Sequence, residues 1–124
     1  MSVSFTKSWA VRADSHKVCE SIRRLPEVFV DGVRAGILMR MGGAYLHQRK
    51  DIKPRAPVLA VEKPGRLVFR HDTIPAFTYA VDVVDRADDC EVALEVKSAG
   101  PARDASTAEQ VVAIIFTLSK SAEG

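Results

Sequence analysis

Toward its end the chain alternates apolar and polar residues at period two and then switches to the helical period. Phe77, Tyr79, Val81 and Val83 fall on one face of a strand, and Val92, Leu94 and Val96 on one face of the next, with Asp82, Glu91, Glu95 and Lys97 opposite. From Ser106 onward Ala108, Val111, Val112, Ile115, Leu118 and Ala122 recur at helical intervals, and Ser106 with Glu109 has the spacing of a capping box. A sheet that is apolar on one side needs a cover. The helix over 106–122, expected to be the longest of the chain, supplies it.

The opening follows the same logic. Val3, Phe5, Trp9 and Val11 alternate with Ser4, Thr6, Ser8 and Ala10, which predicts a strand with one buried face that Lys7 interrupts. Asp14 or Ser15 then caps a short helix carrying Val18, Cys19, Ile22 and Leu25, and a second short helix is predicted over Pro26 to Val30, stopped by Asp31-Gly32. From Gly36 the texture predicts short strands at Ile37 to Met41, Ala44 to Arg49, Val58 to Val61 and Leu67 to His71. Gly42-Gly43 separates the first two as either a tight turn or a bulge, Pro64-Gly65 joins the last two as a turn, Asp51 to Pro57 is loop because of its prolines, and Gly100 to Ala105 is a polar linker. The fold class is therefore α+β. It is a curved antiparallel sheet of six to seven strands, with two short helices after the first strand and a long C-terminal helix gripped by the sheet.

A length of 124 residues fits one domain, 1–124, able to bury about two thirds of its unfolded surface. The apolar share of 47% and net charge of +2 are those of an ordinary globular protein and give no reason to expect a nucleic-acid partner. The arginines are scattered among acidic residues and read as solvated charge. No segment has the apolar run of a signal peptide or membrane span, so a cytoplasmic location is expected. Cys19 and Cys90 lack metal-ligand spacing and sit in apolar patterns, which predicts buried free thiols and no metal. The familiar motifs of zinc hydrolases, serine hydrolases and nucleotide binders are absent, so no cofactor is expected.

The order of elements resembles the START-like helix-grip superfamily, also called SRPBCC, and within it the branch of polyketide cyclases and heat-shock-ATPase-activator homologues. Three stretches carry the resemblance. Met39-Arg40-Met41-Gly42-Gly43-Ala44-Tyr45 is similar to that branch's apolar strand ending in a Gly-Gly turn, Ala56 to Phe69 to its hairpin, and Phe77 to Gly100 to its paired strands ending in Ser-x-Gly. The resemblance implies a pocket between sheet and helix for a small hydrophobic molecule, lipid-like, polyketide-like or aromatic. It leaves open a pocket enzyme of the cyclase, aromatase or dehydratase type, a chaperone-activator-like partner-binding domain, and a homodimer.

Residues on the apolar faces are the candidate wall: Trp9, Met39, Met41, Tyr45, Phe69, Phe77, Tyr79, Val111 and Ile115, with Phe5 and Leu118 beside them. Any of them serves equally well as plain core. His71 is the sharpest candidate, because it follows Leu67 and Phe69 at period two and should share their face. Either it points into the interior as an orienting contact or it ends the strand in solvent, and the same two readings apply to His47, which shares a face with Tyr45 and Arg49. Strand register decides between the two.

Overall fold

The computed structural model describes residues 2–41, 55–73, 75–101 and 105–124, with the side chains of 2, 3 and 36–41 excepted. The elements run β1 (Ser2–Val11), α1 (Ser15–Ile22), α2 (Leu25–Met41), β2 (Val58–Lys63), β3 (Arg66–His71), β4 (Phe77–Asp85), β5 (Cys90–Pro101) and α3 (Ser106–Ser121). The strands form one antiparallel sheet in the order β1-β5-β4-β3-β2. β2 to β5 are an antiparallel meander, with β2 and β3 joined by the tight turn at Pro64-Gly65, and β1 closes the far edge against β5.

Register puts the predicted apolar faces together. Leu59 pairs with Phe69, Phe69 with Tyr79, Tyr79 with Val96 and Val96 with Phe5, so one row of side chains crosses all five strands. Below it Leu67, Val81 and Leu94 form a second row that ends on Lys7, and at the open side His71 pairs with Phe77. At the β2–β3 turn Gly65 has φ +76°, and a Cβ there would lie 2.9 Å from the Val83 carbonyl oxygen. Only glycine meets both demands, and its carbonyl accepts the Val83 N–H at 2.8 Å.

α1 starts at an Asp14 cap whose carboxylate accepts the Lys17 N–H, and it buries Val18 and Ile22. α3 buries Ala108, Val111, Val112, Ile115 and Leu118, the predicted stripe, in the same apolar cluster as the sheet face and against α1 and α2. Its C-terminal end is fastened by polar contacts. Lys120 Nζ donates to the Ala10 carbonyl at 2.7 Å, Ser21 Oγ to the Leu118 carbonyl at 2.6 Å, and the Glu123 carboxylate accepts the Arg12 N–H at 2.9 Å.

Several expectations are corrected. The sheet has five strands among the described residues, not six to seven. Ile37 to Met41 is the last stretch of α2, and Ala44 to Arg49 lies outside the described residues. The second helix is not short: it runs 17 residues, one more than α3, straight through Asp31-Gly32. A glycine inside a helix costs only about 1 kcal/mol relative to alanine, and burial of Leu25 and Phe29 with partial burial of Val28 and Val33 outweighs it. A short apolar run such as Ile37 to Met41 has no period of its own to separate strand from helix. The cap of α3 is Ala105 rather than Ser106, and it makes no side-chain cap hydrogen bond. β5 extends through Gly100 to Pro101, into the predicted linker.

Candidate functional site

Alternation along β3 sends Leu67, Phe69 and His71 to the same face, and all three are buried, His71 to 2% exposure. The ring of Phe29, from α2, meets the imidazole edge-on at 5.1 Å between centroids. His71 Nε2 lies 3.1 Å from the Arg55 carbonyl oxygen. A carbonyl only accepts, so Nε2 carries the hydrogen and, in the neutral ring, Nδ1 is a bare acceptor. That Nδ1 is buried and has no hydrogen-bond partner among the described residues. Burial holds the imidazole below its ordinary pKa, opposed by the Arg55 carbonyl and by Asp72, which favours the neutral ring at pH 7.

Tyr79 sits one row further in, diagonal to His71, where such neighbours are about 7–8 Å apart between Cα atoms. It is fully buried, stacked on Phe77 at 6.3 Å, and its hydroxyl also lacks a hydrogen-bond partner among the described residues. Burial raises its pKa, so the phenol stays protonated and keeps a hydrogen to donate. A buried tyrosine hydroxyl usually finds a partner, and leaving one unmade costs about 1–3 kcal/mol. Two such orphans on adjacent rows of one sheet face are the outstanding polar feature of the interior. A neutral imidazole with a free lone pair and a protonated phenol can between them accept and donate a hydrogen bond to a bound group.

The structure brings together Phe69, His71, Phe77 and Tyr79 on β3 and β4, and buries Val111 and Ile115 of α3 in the same core cluster. It moves Trp9 elsewhere. Trp9 lies on the edge strand, pairs with Val92 two rows from Tyr79, and donates its Nε1–H to Ser119 Oγ at 2.8 Å while meeting the Phe116 ring edge-on at 5.3 Å. It lines a surface groove of about 540 Å³ between β1 and α3, together with Phe5, Lys7, Glu109 and Phe116. Met39 and Met41 fall on the backbone of α2 rather than on a strand, their side chains outside the described set, and Tyr45 and His47 lie outside the described residues.

Phe29 was not singled out by the sequence, although its spacing from Leu25 was the available signal. Nothing in the sequence pointed to the Arg55 carbonyl. Cys90 is buried, whereas Cys19 is only half-buried and lines a cleft of about 400 Å³ with Arg23, Glu62 and Gly65. Burial raises both thiols above their ordinary pKa, which argues against a nucleophile. No cluster of metal-ligating side chains occurs among the described residues.

No protein-family model matches the chain, and no curated protein matches it. Solved structures do. The fold is similar to that of an uncharacterized protein from Rhizobium leguminosarum, with a TM-score of 0.54 and 11% identity over 99% of this chain and 95% of that one. It is also similar to Ara h 8.0201, with a TM-score of 0.50 and 7% identity over 98% and 97% of the two chains. The di-domain ARO/CYC StfQ from the steffimycin biosynthetic pathway matches over 98% of this chain and 45% of its own at a TM-score of 0.47 and 13% identity. At such identities the first two likenesses speak to the fold, and they are consistent with a helix-grip arrangement. Among the described residues no helix is long and apolar enough to cross a membrane.

Proposed function

We propose that the chain, acting as one domain over 1–124, binds a small, largely apolar molecule between its sheet and its helices. The ligand would be lipid-like, polyketide-like or aromatic. The observation that carries this reading is the pair of buried, unpartnered polar atoms, His71 Nδ1 and Tyr79 Oη, set on an otherwise apolar face of Phe69, Phe77 and Val96. Apolar walls with a few placed polar groups are the usual composition of a small-molecule site. The helix-grip architecture supports the same reading, because α3 and α2 roof that face.

Thermal denaturation with a panel of fatty acids, sterols, flavonoids and polyketide-like aromatics tests it. A ligand of the folded state present at a hundred times its dissociation constant adds about 2.7 kcal/mol, a shift of several degrees for a domain of this size. Native mass spectrometry of protein purified from its own host is the complementary measurement, and a retained small molecule is the expected result. An unshifted melting temperature across the panel, with no retained molecule, would remove the proposal.

A further inference from the structure

We infer that the interior selects a neutral ligand bearing a hydroxyl group, phenolic or alcoholic, and discriminates against carboxylates. This rests on the interior-binding reading above and narrows it.

The inference comes from which hydrogens are already committed. His71 Nε2 spends its hydrogen on the Arg55 carbonyl, so Nδ1 presents a lone pair and accepts only. Tyr79 Oη presents a hydrogen and can also accept. A ketone or ether, which only accepts, satisfies Tyr79 and leaves His71 orphaned. A hydroxyl both donates and accepts, so it satisfies either group, and on a ring-sized scaffold it reaches His71 while a second oxygen reaches Tyr79.

Charge sharpens the choice. Among the described residues no lysine or arginine is buried, so none of these stands ready to neutralise an anion. A carboxylate would face the His71 lone pair with its own, and a bond from Tyr79 would still leave its charge without a buried cation among the described residues, which is far costlier than an unmet neutral group. An ammonium would find acceptors but no buried carboxylate. Burial holds the imidazole below its ordinary pKa in the unliganded protein, so an anion would have to draw a proton onto the ring before it could pair with it.

Calorimetric titration of the whole chain at neutral pH with naphthol, methoxynaphthalene and naphthoate reads the selection directly. Naphthol should bind about three- to tenfold more tightly than its methyl ether, the net worth of one hydrogen bond. Naphthoate should be weaker than the ether by about a hundredfold or more, reflecting a buried unpaired charge. His71→Phe keeps the aromatic contact with Phe29 and should level naphthol with its ether to within about twofold, a ratio that a purely structural role for His71 would not move. Should that variant fail to fold, the ranking of the three probes on the native chain decides alone. Naphthoate binding as tightly as naphthol, or an unchanged naphthol preference in His71→Phe, overturns the hydroxyl selection and leaves interior binding standing. Binding by none of the three overturns the hydroxyl selection, and the wider ligand panel above then decides interior binding.

Discussion

Two buried polar clusters share this core and are finished differently. At the β1–α3 seam, Ser119 is fully buried, accepts the Trp9 Nε1–H at 2.8 Å and donates to the Phe116 carbonyl at 2.7 Å. At the β3–β4 face, His71 Nδ1 and Tyr79 Oη are buried and unmatched. The first is closed within the protein and holds β1 to α3. The second bears an unmet cost that a packed core of leucine and valine would avoid, and the proposed ligand site rests on it.

Ile115→Asp should abolish the contrast by destroying the core both clusters share. Ile115 is wholly buried in the α3 stripe, and an unpaired carboxylate there should cost several kcal/mol out of a total of about 5 to 15. Loss of the cooperative transition in urea is the expected readout. A milder break is Ser119→Ala, which strips the partner from Trp9 Nε1 and should cost about 1–2 kcal/mol in urea denaturation.

The mirror experiment sharpens the comparison. Tyr79→Phe removes a hydroxyl that has no partner, so the unliganded protein should be unchanged or about 1 kcal/mol more stable. Equal losses for Ser119→Ala and Tyr79→Phe would mean the two clusters are not different in kind. The smallest effect is the pH response of His71. Its pKa is lower folded than unfolded, so between that lowered value and about 6.5 the unfolded chain holds more protons and stability rises with pH. Its contribution is complete above about 6.5 and is lost as acid titrates through the folded value. His71→Phe should flatten that part of an acid denaturation series.

What the sequence disclosed follows from where period and packing agree. β3, β4, β5 and α3 each bury one face against a single neighbour layer, so the alternation at Phe77 to Val83 and the stripe from Ala108 to Leu118 translate directly into burial. α2 did not translate, because further apolar residues in its sequence, such as Val30, Ile37 and Leu38, blur the helical period, while Gly32 imitates a stop. His71 was placed on the right face by its spacing, but its hydrogen-bond state was not readable. That state depends on the carbonyl of Arg55, a backbone atom in a loop whose position no side-chain pattern encodes. Trp9 shows the converse: the correct strand face, but on an edge where α3 offers Ser119 and leaves the indole facing a surface groove.

The seam between β1 and α3 also has a bearing on birth at the ribosome. Trp9 cannot meet Ser119 until 110 more positions have been translated, and β1 has no partner until β5 arrives. At about 5–20 residues per second, Phe5, Trp9 and Val11 wait roughly five to twenty seconds as an unpaired apolar strand. Lys7, set into the middle of that strand's inward face, puts a charge where a nascent chain is most open to mispairing. The residue that spoils the pattern of the first strand thus guards it while it waits.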